Sequence, residues 1–160
     1  MKSLVTGANG FVGSAVARCL LEAGHEVRCL VRAGSDQSNL KGLPVEISEG
    51  DLRDVASLKR AVTNCENLFH VAADYRLWVP DPETMYEINV KGTQELILAA
   101  SGADVSRIIY TSSVATLGIN LDGNPADENT PSSLNNMTGH YKRSKFLAEQ
   151  VVQHLTDKHQ

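Results

Sequence analysis

Lys2-Ser3-Leu4-Val5-Thr6-Gly7-Ala8-Asn9-Gly10-Phe11-Val12-Gly13 opens the chain, and its reading sets the reading of the remainder. Lys2 to Thr6 has the composition and length of a strand and ends at Gly7. From Gly10 onward, Val12, Val16, Cys19 and Ala23 recur at helical spacing, and Gly24 stops that helix as a C-cap does. The segment is thus a strand, a glycine turn and a helix. Its glycines stand three apart, G-x-x-G-x-x-G, not in the G-x-G-x-x-G order of the dinucleotide fingerprint. The physical need is the same. A side chain at Gly7 or Gly10 would keep a diphosphate from the backbone, and the first N–H groups of the helix meet the anion with the helix dipole behind them. Gly13 lets the helix pack closely on the strands. Thr6, Gly7, Asn9, Gly10, Phe11, Val12 and Gly13 are therefore candidate cofactor contacts. No Gly-Lys-Ser/Thr follows, which excludes a kinase-type phosphate loop.

Working outward, strands and helices alternate. Strands are expected at Val27–Val31, Val45–Ser48, Leu68–Ala73 and Ser106–Thr111. Helices are expected at Asp54–Val62, with Asp54 as N-cap, at 82–101 and at 140–157. The second of these carries Met85, Ile88, Gly92, Leu96 and Ala99 on one stripe, and the last carries Leu147, Val151 and Leu155. Residues 118–139 are rich in turn formers. Near-continuous apolar strands separated by helices give an α/β fold, a doubly wound parallel sheet in three layers, α/β/α. Ligand then sits beyond the strand C-termini, where the winding reverses between the first and fourth strands.

Composition agrees with one soluble domain. The 160 residues hold 15 Lys and Arg against 19 Asp and Glu, a net charge of −4. That balance argues against a nucleic-acid partner, which would require an excess of cations. No apolar run reaches the roughly 18 residues of a membrane span, and the N-terminus lacks a signal-peptide pattern, so cytoplasm is the expected location. Cys19, Cys29 and Cys65 are odd in number and widely spaced, and are read as small buried hydrophobes. No His, Cys or carboxylate spacing suggests a metal site.

Two further regions carry chemistry. Nucleotide choice rests on the end of the second strand, where a carboxylate usually takes the ribose hydroxyls about 20 residues past the glycines. Here Leu30-Val31-Arg32 offers none; Arg32 can pair with a 2′-phosphate, favouring NADP over NAD. Gly50-Asp51-Leu52 follows the third strand, with Asp51 able to accept from an adenine amino group and Leu52 beside it. Tyr141 and Lys145 stand at i and i+4 on one helical face. A phenol with a pKa of about 10 is a poor acid–base catalyst at neutral pH. A nearby ammonium and an oxidised nicotinamide could lower it by about 3 units, at a cost of roughly 4 kcal/mol. Tyr110-Thr111-Ser112-Ser113-Val114 puts hydroxyls at a strand C-terminus, where one serine can polarise a substrate carbonyl while another caps a turn. No G-x-S-x-G surrounds them, which argues against a serine nucleophile. His140 lies on a different azimuth from Tyr141 and reads as rim or structural; His154 and His159 read as solvated. Tyr75 and Trp78, in the loop Asp74–Asp81, are either a pocket wall or plain core.

Together these residues resemble an extended short-chain dehydrogenase/reductase, a Rossmann-type NAD(P)-binding enzyme. The family's T-G-x-x-G-x-x-G is similar to Thr6, Gly7, Gly10 and Gly13, and its Y-x-x-x-K to Tyr141 and Lys145. Its catalytic serine best matches Ser113, with Ser112 as the alternative. Asn89-Val90-Lys91-Gly92-Thr93 resembles N-V-x-G-T, and His70-Val71-Ala72-Ala73 resembles H-x-A-A, where Ala72 and Ala73 run past the cofactor. More narrowly, His70–Trp78, Tyr110–Gly118 and Gly139–Lys145 look like hopanoid-associated sugar epimerases, a branch similar to dihydroflavonol 4-reductases. The resemblance implies NADP or NAD as cofactor, a small-molecule substrate and hydride transfer at a sugar-like or polyol carbon. It gives Tyr141 the role of general acid/base, Lys145 that of holding the nicotinamide ribose, Ser113 that of orienting substrate, and Asn89 a structural one. It also implies a homodimer through the helices at 82–101 and 140–157. Members of the family run about twice as long, so residues 1–160 are expected to be the cofactor domain, without the C-terminal substrate-binding part. A non-catalytic NADP-binding sensor is the rival reading, although a sensor has no need of the tyrosine–lysine pair.

Overall fold

The computed structural model describes residues 1–157, so the expectation for His159 lies outside the described residues. Five strands form one sheet: β1 (Lys2–Thr6), β2 (Glu26–Val31), β3 (Glu46–Glu49), β4 (Asn67–His70) and β5 (Arg107–Tyr110). All pairings are parallel, in the order β3-β2-β1-β4-β5. Alternate side chains face opposite layers. Leu4 and Leu30 join Leu58, Leu68 and Leu96 in one core, while Val5, Cys29 and Val31 join Ala17 and Leu20 in the other. Helices α1 (Phe11–Glu22) and α2 (Val55–Val62) contribute to these opposite cores, giving the expected three layers with the reversal between β1 and β4.

Local chemistry explains the boundaries. Helix α1 ends in paired bonds from Gly24 N–H to Leu21 and from His25 N–H to Leu20. Asp54 caps α2 by accepting the Ala56 N–H at 3.0 Å. Strand β4 stops at His70, short of the expected Ala73. Thr6–His70 is its last pair with β1, and the next two N–H groups, of Val71 and Ala72, turn to the Thr6 hydroxyl instead.

Three expectations are corrected. The buried face of α1 is Gly13, Ser14, Ala17 and Leu20, whereas Val12 and Cys19 face out, so Cys19 is not a buried hydrophobe. Small side chains are needed where the helix crosses the glycine turn, and hydropathy does not register size. The helical run from 83 to 101 is not uniform: α3 (Glu83–Tyr86) passes through a π turn (Glu87–Gly92) into α4 (Thr93–Ser101). Asn89 there is buried while Ile88 is only half so. The last helix, α5 (Gly139–Asp157), buries Ser144, Lys145 and Ala148 more deeply than Leu147, Val151 and Leu155. No described helix is long and apolar enough to cross a membrane.

Gly13 is the tightest point of the turn. A Cβ there would lie 2.1 Å from the Gly7 carbonyl oxygen and 2.9 Å from Ala8 Cα. A Cβ at Gly10 would meet only the Gly7 oxygen, at 3.2 Å. Gly13→Ala is therefore expected to cost about 3 kcal/mol and Gly10→Ala about 1 kcal/mol or less, read from urea unfolding. Equal costs would contradict this packing.

Candidate active site

At the C-terminal ends of β1 and β4, Thr6 and His70 are fully buried. Thr6 Oγ1 accepts N–H groups from Val71 at 3.2 Å and Ala72 at 3.1 Å, leaving its hydroxyl proton for His70 Nδ1 at 2.8 Å. The ring proton is thereby assigned to Nε2, which donates to Thr93 Oγ1 at 2.8 Å; Thr93 in turn donates to the Asn89 carbonyl at 2.7 Å. Burial pulls the His70 pKa down to about 3, with Lys145 adding to the effect, so the ring is neutral. Thr6 therefore acts from inside, as a tie between strands, and its side chain presents no surface to a ligand. Asn89 continues the tie. It donates to the Asp74 carbonyl at 2.8 Å and to Ser144 Oγ at 2.9 Å, and accepts the Asp74 N–H at 2.7 Å.

The glycine turn lies against this floor. Gly7 has φ +64°, and a Cβ on it would sit 2.9 Å from the Ala72 backbone, so Gly7 and Ala72 are in direct contact. Gly10 is exposed, no side chain caps α1 there, and its first turn holds no acid. The free N–H groups of that turn fit an anion. Asn9 is turned aside, donating to the Asp36 carbonyl at 2.9 Å while its own carbonyl accepts from Asn39 at 2.8 Å. Phe11 and Val12 are exposed beside Gly10, and Ala73 is half-buried. Arg32 is exposed at the end of β2, over an open depression of about 550 Å³ shared with Gly50, Asp51, Arg53 and Arg60. Arg53 grips both Asp51 oxygens, at 3.0 and 2.9 Å, and holds that carboxyl below the usual range. Leu52 packs inward with the core of Leu4 and Leu58 and is not part of this surface.

At the end of β5, the two serines divide their work. Ser112 Oγ donates to Glu149 Oε2, which also accepts from Thr116 at 3.0 Å. Ser113 Oγ accepts the Ala115 N–H at 3.2 Å, and the Tyr141 hydroxyl lies 3.4 Å from it. Ser113 thus both caps the 3₁₀ turn Val114–Thr116 and faces Tyr141. Lys145 is buried beside them, but its ammonium donates to Tyr110 at 2.7 Å and to the Thr111 carbonyl at 2.9 Å. Among the described residues it makes no hydrogen bond to Tyr141. Burial pulls Lys145 down to about 8, against the opposing charge of Glu149. His140 stays exposed at the rim, 3.2 Å from the Tyr86 hydroxyl. Trp78 is 79% exposed and Tyr75 77%, so neither is core.

Tyr110 and Glu149 are site residues that motif reading passed over. Glu149 had a signal, since Tyr141, Lys145 and Glu149 follow at steps of four on one face of α5. Tyr110 had only its place at a strand end.

His70 gives the fold a testable pH dependence. Between pH 6.5 and about 3 the unfolded imidazole binds a proton that the folded one refuses, so stability falls with pH by up to about 1.4 kcal/mol per unit. A His70→Leu variant, less stable at pH 7, is expected to show a shallower decline over that window in urea unfolding. An identical slope would contradict the buried neutral ring.

Residues 3–160 match the NAD dependent epimerase/dehydratase family. The chain is 47% identical over 146 residues to a dihydroflavonol 4-reductase-like protein of Synechocystis, covering 91% of this chain and 42% of that one. The crystal structure of gox2253 superposes with a TM-score of 0.93 at 57% identity, over 98% of this chain and 48% of that one. A short-chain dehydrogenase/reductase superfamily protein of Agrobacterium tumefaciens with bound NAD gives 0.80 at 30% identity, over 96% and 44%. The chain spans about half the length of each of these relatives. With its glycine turn, parallel sheet and tyrosine–lysine helix, the chain belongs to the NAD-dependent epimerase/dehydratase family of extended short-chain dehydrogenases/reductases.

Proposed function

We propose that the whole protein is an NADP-dependent oxidoreductase that transfers hydride at a carbonyl or alcohol carbon, with Tyr141 as general acid/base. The observation that carries this reading is the Tyr141 hydroxyl 3.4 Å from Ser113 Oγ at the C-terminal end of the sheet, with the Lys145 ammonium buried alongside. A bound nicotinamide dinucleotide supplies or accepts the hydride.

The residues divide the remaining work. The N–H groups following Gly10 hold the diphosphate. Ser113 orients the substrate oxygen toward the Tyr141 phenol, which gives or takes its proton. Lys145, with one N–H beyond the two spent on Tyr110 and Thr111, reaches the nicotinamide ribose and favours the phenolate by its charge. Arg32 supports NADP over NAD: it is an exposed cation on an open depression that also holds Arg53 and Arg60, and of the carboxylates there, Glu49, Asp51 and Asp54, Asp51 is gripped by Arg53 and Asp54 caps α2. The exposure of Tyr75, Leu77 and Trp78, beyond Asp74, and of Val114, beside Ser113, supports them as apolar surface offered to a substrate. Such an apolar surface supports a dihydroflavonol-4-reductase-like carbonyl reductase as the second reading, next to a sugar-like or polyol substrate taken up by an epimerase.

In the full-length protein, Tyr141→Phe is expected to lower turnover with NADPH and a carbonyl substrate about a hundredfold or more, leaving cofactor affinity within about twofold. Unchanged turnover would contradict the assignment, and binding without turnover in the parent would favour a sensor. Arg32→Ala is expected to weaken NADPH about tenfold and NADH little, by fluorescence titration. Equal affinity of the parent for both would refute the NADP reading. Gly10→Ala is expected to weaken both cofactors.

A further inference from the structure

A buried lysine ordinarily finds a carboxylate. Lys145, only 3% exposed, forms no ion pair among the described residues. Two of its three N–H groups go to neutral oxygens, Tyr110 Oη at 2.7 Å and Thr111 O at 2.9 Å, and its Nζ lies 4.3 Å from the centre of the Tyr110 ring.

We propose that Tyr110 is a positioning residue that holds the Lys145 amine charged and in place before cofactor binds. The inference rests on the role given to Lys145 above and deepens it. Neutral acceptors fix the direction of an ammonium without cancelling its charge, which a carboxylate partner would do. Lysine is otherwise a flexible side chain that must be ordered when ligand arrives, and restraining it beforehand removes that cost from binding.

Tyr110 suits the task because it remains a neutral acceptor. Burial, with Glu149 and Tyr141 nearby, pushes its phenol upward, above the range in which Lys145 titrates. The groups around Lys145 are Tyr110 and Thr111 at the end of β5, Glu149 on α5, and neutral His70 on β4; Tyr141 on α5 acts on Tyr110. Tyr110 is itself held: its ring lies 5.5 Å from that of His70, which Thr6 and Thr93 fix from both sides. The position of the amine is thus traceable to the strand tie beneath the glycine turn.

Tyr110→Phe keeps the ring and removes the acceptor. In the full-length protein with ¹³Cε-labelled lysine, the Lys145 signal, assigned by its loss in Lys145→Ala, is expected to titrate about one pH unit lower in Tyr110→Phe than in the parent. NADPH affinity at pH 7 is expected to fall about tenfold in Tyr110→Phe, and not to fall further when the change is made in Lys145→Ala. An unmoved midpoint, a tighter NADPH complex, or an equal loss in the Lys145→Ala background would overturn the proposal. If Lys145→Ala and Tyr141→Phe both impair the enzyme while Tyr110→Phe leaves midpoint and affinity unchanged, this inference alone fails. If neither impairs it, the reading of the site fails, and the midpoint still reports whether Tyr110 holds the amine.

Discussion

The Thr6 hydroxyl between the ends of β1 and β4 is the interaction on which the site depends. It is a single oxygen, yet it takes two backbone N–H groups from the β4 exit and gives its proton to His70. Parallel strands diverge beyond their last paired residues, and at a topological switch nothing in the sheet itself holds them together. The hydroxyl supplies that hold and fixes where Ala72 meets Gly7. Through His70 and Thr93 the same chain of bonds reaches the π turn, and through Asn89 it reaches Ser144 on α5. Every member is buried and satisfied, which is the condition for a polar network to specify one arrangement.

The chemistry-bearing end of the sheet is organised on the same plan, with neutral groups placed around one buried cation. Glu149 accepts from Ser112 and Thr116, both at Oε2. That arrangement leaves Ser113 as the hydroxyl facing Tyr141. Lys145 forms no ion pair among the described residues, and burial holds its pKa down against the raising effect of the Glu149 charge. The edge strand β5, none of whose residues is fully buried, presents these groups.

The architecture was legible because it follows from periodicity and punctuation. Gly7 and Gly24 mark the ends of the first strand and helix, Asp54 marks the start of another helix, and the apolar strands announce a sheet covered on both faces. What escaped reading depends on size and on distant partners. The inward face of α1 is not legible from hydropathy, because Gly13 and Ala17 face inward for their smallness. The π turn, and the bond from the Thr93 hydroxyl to the Asn89 carbonyl within reach of it, are choices that helical spacing does not encode. Tyr141 and Lys145 were legible as neighbours on one turn, but the amine's actual acceptors lie 35 and 34 residues away at the end of β5.

On the proposed function, a pyridine dinucleotide crosses the ends of β1 and β4 and brings its reactive ring to Tyr141. A crystal structure of the full-length protein grown with NADP tests this most directly. The diphosphate is expected on the N–H groups after Gly10, the 2′-phosphate at Arg32, and the nicotinamide ribose on Lys145 beside Tyr141. Density for the dinucleotide elsewhere, or a ribose out of reach of Lys145, would contradict it.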